Sequence, residues 1–150
     1  RWRAEQIGIG KPNWSLGHER FVRLNFGGRY DRPYLPKHFE MARIMESWLG
    51  TPYVWGGNTR EGADCSGFVR GVFLELGINL PRHSQDMGQA SIGEVVLDEL
   101  RYGDVLVIPS PKHVAIYVGG GATIEAVRGG VGRSTVLRRD RAVVRRFITE

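Results

Sequence analysis

Hydrophobic spacing changes its period partway along this chain, and that change limits the fold more than any other feature. Between Pro36 and Leu49 the apolar residues Phe39, Ala42, Ile44, Met45, Trp48 and Leu49 recur as one helix face. Pro36 suits a helix start, and Gly50 followed by Pro52 suits its stop. A second helix is expected from Asp64, an N-cap type, through Phe68, Val72, Phe73 and Leu76 to Gly77 at the C′ position. Arg82 to Asp86 reads as a short helix leading to a connection around Gly88 to Arg101. From Tyr102 onward the spacing is that of strands: Val105 to Ile108, His113 to Val118, Thr123 to Val127 and Val143 to Ile148. Helices first and strands after give an α+β fold class, with the helices packed on a central antiparallel sheet.

Residues 1–35 look different. They carry Trp2, Gly8, Gly10, Trp14, Gly27, Gly28 and scattered arginines, with one alternating run, Val22 to Phe26, that reads as a strand. An irregular arm over 1–35 packed on a body over 36–150 is the expected organisation. A chain of 150 residues, 41% of them hydrophobic, is one domain's worth and can bury a sizeable core. No apolar run approaches the roughly 20 residues that span a membrane, and no charged-then-apolar leader stands at the start, so the compartment is not read directly.

Charge says less. Lys plus Arg number 21 against 16 acidic residues, a net +5 that suits an anionic partner and equally a basic protein without one. Arg138, Arg139, Arg141, Arg145 and Arg146 cluster near the C-terminus; interleaved with Val143 and Val144, they read as the solvated face of an edge strand and not as a nucleic-acid surface.

The single cysteine excludes an internal disulfide framework and any zinc site built on several thiolates. Cys65 falls on the first turn of the second helix, where unpaired N–H groups and the helix dipole favour thiolate over thiol. By position alone it is a buried structural thiol or a nucleophile, and a nearby base decides which. Of the four histidines, His18 in the arm and His38 at a helix start read as solvated or capping residues, and His83 sits in a polar turn. His113 opens a strand in which it shares a face with Ala115 and Tyr117, and the small Ala115 leaves room for a neighbour. An odd-numbered turn over 119–121 pairs position 115 with 125 and makes Glu125 a diagonal neighbour of His113. Glu125 is then either a solvated strand residue or the group that orients a nucleophile's base. No metal site is expected, since no His pair stands at helical spacing and a mixed Cys, His, Glu set lacks a fourth ligand. The Gly-rich loop Thr51 to Asn58 lacks the pattern of a phosphate cradle.

TPYVWGG, DCSGFV, LPRHS, YGDVLV and HVAIYVGGG followed by TIEA resemble, in order, the NlpC family of papain-like cysteine peptidases, which are bacterial cell-wall endopeptidases. The resemblance covers about residues 37–127, with weaker similarity through GGVGRSTV. It implies a papain-like core without a cofactor, with Cys65 as nucleophile, His113 as general base and Tyr53 facing the cysteine. Asp64, Ser66 and Ser84 match positions lining the cleft, where family members hold the free amino end of the stem peptide. One position departs from the pattern: the third polar residue is usually His, sometimes Asn or Gln, and here it is Glu125. The resemblance further implies peptidoglycan or its stem peptides as partner, cleavage of a γ-D-glutamyl to diamino-acid bond, a secreted, periplasmic or wall-associated setting, and an upstream SH3-like wall-binding domain. The alternatives are an amidase or acyltransferase effector acting on another substrate, and a wall-binding module with a degenerate site.

Overall fold

The structure is a computed structural model that describes residues 30–135 and 137–150. The expected strand at 22–26, His18 and most of the arm lie outside the described residues. The body begins with α1 (Pro36–Trp48), followed by two short strands, β1 (Asn58–Thr59) and β2 (Gly62–Ala63), and then α2 (Cys65–Glu75). A one-turn helix α3 (Ser84–Met87) precedes β3 (Glu94–Val95), β4 (Val105–Pro109), β5 (Lys112–Tyr117), β6 (Thr123–Val127), β7 (Gly130–Ser134) and β8 (Val143–Arg146). A 3₁₀ turn, Arg139–Arg141, joins the last two strands.

Both main helices are built as their residues dictate. The α2 start is capped by Asp64, whose Oδ1 accepts from the Gly67 N–H at 2.7 Å. Its end is a Schellman turn: Gly77 takes φ +83°, its N–H bonds the Leu74 carbonyl, and the Ile78 N–H bonds the Phe73 carbonyl. At α1 the cap is unusual. His38 is fully buried, and its Nδ1 accepts from the Leu35 N–H at 3.2 Å. Burial, aided by the positive charge of Arg146, pulls its pKa down to about 4, so the ring is a neutral acceptor at ordinary pH. The capping reading of His38 therefore holds, but its helix turns that side inward and not to solvent, because the ring stacks against Tyr34 and Tyr102.

β3 to β8 form one antiparallel sheet in the order β3-β8-β4-β5-β6-β7. Alternation splits its side chains between two cores. Val105, Val107, Val114, Ile116, Ile124 and Ala126 face the helices, where Met41, Met45 and Trp48 of α1 and Phe68, Val72 and Phe73 of α2 are buried. Complete burial of Phe68 and of Phe73 contributes about 2–3 kcal/mol each. Leu106, Tyr117 and Val144 point the other way and pack with Val96 and Leu100. This second face also carries His113 and Glu125.

The structure adds one strand and corrects one expectation. β7 is a further strand in a glycine-rich stretch with Val131 as its one apolar residue; it forms because β6 offers it a complete ladder from Thr123 opposite Ser134 to Val127 opposite Gly130. β8 is not an edge strand, since it lies between β3 and β4, and its arginines are not a solvated face. Arg146 is buried and grips Asp104 with two nitrogens, Nε to Oδ1 and Nη2 to Oδ2, both at 2.8 Å.

An ion pair this deep is costly to break from one side, because the remaining carboxylate is left in an apolar surrounding. Arg146→Met is expected to cost about 3 kcal/mol or more in urea unfolding. A loss within about 1 kcal/mol, the size typical of an exposed pair, would discard that reading of the pair.

Candidate active site

Cys65 is the first residue of α2, and its place is set by the carboxylate just before it. Besides capping the helix through Oδ1, Asp64 uses Oδ2 to accept from the Gly56 N–H and the Arg82 guanidinium, both at 3.0 Å. One side chain thus ties the Gly-rich loop, the helix start and the segment before α3 together. These donors hold its carboxyl below the usual range even though burial works against them. Gly67 completes the fit, because a Cβ there would run into the Gly57 carbonyl.

The loop delivers Tyr53 to the same place through a bridge to Ala63. Burial, with the nearby Cys65 and Asp64 charges, raises the Tyr53 pKa, so its hydroxyl keeps its proton at neutral pH. Trp55, farther along the loop, is 85% exposed. Ser66 is buried and accepts from Arg82 Nη1 at 2.7 Å, while Ser84 is buried and accepts from the Gln85 amide at 3.0 Å. His83 is exposed at the start of α3.

On the sheet side the register is the one an odd turn requires. Ile116 lies opposite Ile124 and Tyr117 opposite Thr123, a register in which position 115 corresponds to 125. Glu125 then reaches His113 diagonally, with Oε1 2.6 Å from Nε2. Cys65, at the start of α2, lies close enough to His113 for its interaction to raise the imidazole pKa. Glu125 is not solvated: only 3% of its side chain is exposed, and the hydroxyl of Thr123 donates to its Oε2 while Arg138 Nη2 donates to Oε1 at 2.9 Å.

These contacts move both protons. Burial lowers the His113 pKa, but hydrogen bonds and charges from Cys65 and Glu125 outweigh it and bring the value to about 9. Burial raises Glu125, but His113, Thr123 and Arg138 outweigh it and hold the value at about 2. At neutral pH the arrangement is a carboxylate bonded to an imidazolium near the Cys65 sulfur.

Sequence reasoning placed Cys65, His113, Glu125 and Tyr53, and the fold brings them together. It missed Thr123, Arg82 and Arg138. Thr123 stands two residues before Glu125 on the same strand face, so alternation was a usable signal. Arg82 and Arg138 come from loops whose paths follow no periodicity. Among the described residues no group of three or more His, Cys, Asp or Glu side chains is arranged to hold a metal ion, and no helix is long and apolar enough to cross a membrane.

A helix-borne cysteine against a strand-borne histidine, on a helix-plus-antiparallel-sheet body, defines the papain-like class of α+β folds. Within it, residues 50–142 match the model of the NlpC/P60 family. The γ-D-glutamyl-L-lysine dipeptidyl-peptidase of Bacillus subtilis is 34% identical over 115 residues, which are 69% of this chain and 38% of that protein. The crystal structure of the NlpC/p60 domain of the peptidoglycan hydrolase SagA superposes with a TM-score of 0.64 at 30% identity, covering 73% of this chain and 97% of that one. RipD of Mycobacterium tuberculosis, a non-catalytic NlpC/p60 domain protein adapted to peptidoglycan binding, superposes at 0.65 with 26% identity, covering 77% of this chain and all of that one. The chain belongs to the NlpC/P60 family, and it spans less than half the length of the B. subtilis relative.

The two pKa shifts make opposite contributions to stability with pH. Folding raises His113 above its free value of 6.5, so that contribution is complete below pH 6.5 and is lost as pH rises through about 9. Folding lowers Glu125 from 4.5, so its contribution is complete above pH 4.5 and is lost as pH falls towards about 2. The stability advantage of the wild type over Glu125→Gln is therefore widest between pH 4.5 and 6.5 and narrows on both sides. Urea unfolding in the acid, middle and alkaline windows measures it, and a difference independent of pH would remove the linkage.

Proposed function

We propose that this chain hydrolyses the γ-D-glutamyl to diamino-acid bond of peptidoglycan stem peptides through a Cys65 thiolate, with His113 as acid and base and Glu125 as the group that orients it. The observation carrying this reading is His113 bonded to the buried Glu125 carboxylate within electrostatic reach of Cys65. The chemistry follows from that placement. The Cys65 sulfur attacks the carbonyl carbon, forming the C–S bond and moving the carbonyl electrons onto oxygen. As that oxyanion collapses, the C–N bond breaks and the His113 imidazolium gives its proton to the leaving amine. Water then adds to the thioester with His113 taking its proton, and the sulfur leaves as thiolate. The Cys65 backbone N–H and the protonated Tyr53 hydroxyl are the donors for the oxyanion.

The bond cleaved is chosen by likeness to the B. subtilis enzyme, whose name states a γ-D-glutamyl-L-lysine linkage. Asp64, Ser66 and Ser84 belong to the substrate cleft in this reading. Both Asp64 oxygens already carry two donors, so a substrate ammonium approaches that carboxylate beside Arg82 and not in its place. The division into an arm over 1–35 and a catalytic domain over 36–150 belongs to the same proposal, as do an extracytoplasmic or wall-associated setting and an upstream SH3-like wall-binding domain.

Cys65→Ala is expected to abolish the release of peptide fragments from purified peptidoglycan, read by product mass, while leaving sedimentation with the polymer intact. Full residual cleavage would sink the nucleophile assignment; binding by the wild type with no thiol-dependent cleavage would instead make the chain a wall-binding module like RipD. The alkaline limb of wild-type kcat/KM should fall near pH 9, where His113 loses its proton. Glu125→Ala should lower kcat by about 10-fold or more and move that limb down, and Glu125→His should recover most of the rate. Unchanged kinetics in the Ala variant would discard the orienting role.

A further inference from the structure

A glutamate is a demanding choice for the residue behind a catalytic histidine. An amide or imidazole can orient His113 without bringing charge, whereas Glu125 brings a full negative charge into a site where 3% of its side chain is exposed. Unopposed, that charge would tighten the imidazolium's hold on its proton, the proton the leaving amine needs. Arg138 stands where it opposes this. Its Nη2 bonds Oε1, the same carboxylate oxygen that His113 Nε2 bonds. The two nitrogens are therefore no farther apart than the two bonds laid end to end. Arg138 is also the only non-glycine residue with positive φ among the described residues, at +48°, a left-handed conformation that an arginine adopts at a cost. It reaches the site from the loop before the 3₁₀ turn, away from the strands that carry the other partners.

We propose that Arg138 is a positioning residue of the site, whose guanidinium fixes the Glu125 carboxylate against His113 and offsets the charge that glutamate brings there. This rests on the reading of Cys65, His113 and Glu125 as the reacting and orienting groups. The charged and titratable groups around His113 are Cys65 from α2, Glu125 from β6, Arg138 and Arg141 from the C-terminal turn, and Lys112 beside it on β5. Lys112, Arg138 and Arg141 line, with His113, an open cavity of about 260 Å³ that lets solvent reach the outer side of the guanidinium. Lys112 and Arg141 are exposed and screened by that solvent, so among the three cations Arg138 is the one that acts on His113 at short range.

The test is the titration of His113, followed by NMR in the intact protein. Arg138→Gln removes the opposing charge and should move the midpoint upward by about one pH unit. The alkaline limb of kcat/KM should move with it, with kcat lowered several-fold and KM within about 2-fold. Arg138→Lys keeps the charge and should return the midpoint to within a few tenths of the wild type. The same Arg138→Gln change is made in a Glu125→Gln background, where no buried carboxylate is left without its partner and folding is not at risk; there too it should move the midpoint upward. A midpoint that stays still or moves down in the folded variants overturns the proposal. Failure of the underlying reading has a different signature: in the wild type, His113 would titrate near 6.5 and its midpoint would not respond when Cys65 is alkylated.

Discussion

The arrangement of this molecule around its reactive end depends on one carboxylate, that of Asp64. Its four donors come from the helix it caps, the serine beside Cys65, the Gly-rich loop and Arg82. A helix start normally leaves its first N–H groups unpaired, and a capping side chain satisfies one of them for about 1 kcal/mol. Here the cap also decides where three separate segments meet. Cys65 is consequently presented at the end of a helix whose body is locked by Phe68, Val72 and Phe73 into the core. The sulfur inherits its position from packing that is remote from it.

On the sheet side the governing constraint is electrostatic. Buried carboxylates are tolerated only when their lone pairs are filled and their charge is opposed, and Asp104 and Glu125 both meet that demand with arginine. Asp104 takes a two-pronged grip from Arg146, and Glu125 takes His113, Thr123 and Arg138. The first pair serves the fold, joining β8 to the turn before β4. The second serves the site, because a proton on His113 is stabilised by the same carboxylate that orients the ring.

Much of this was legible beforehand. Helix periodicity placed Cys65 on the first turn of α2 because capping and C′ signals are local, and the Schellman end at Gly77 follows from one residue's freedom at positive φ. Alternation put His113 and Glu125 on one face once the Gly119 to Gly121 turn was counted as odd. What failed was local reasoning applied to non-local outcomes. β7 has only Val131 as an apolar signal and forms on a ladder supplied by β6. The C-terminal arginines looked like a solvated edge because alternation gives faces but not neighbours, and β8 inserts between β3 and β4. His38 read as a solvated or capping residue; it caps, but from a buried position, because Tyr34 and Tyr102 pack around its ring from segments outside the helix.

The sequence by itself determined the class of fold, the order of its elements, the helix-start cysteine, the strand histidine and the family to which they belong, since each rests on spacing along the chain. Tertiary structure alone decided that Glu125 is buried and charged, that Arg138 completes its surroundings, and that Asp64 is the joint between three segments. The physical reason is the same in each case: the charge state of a buried group depends on what is desolvated beside it, and those neighbours arrive from segments far away in sequence.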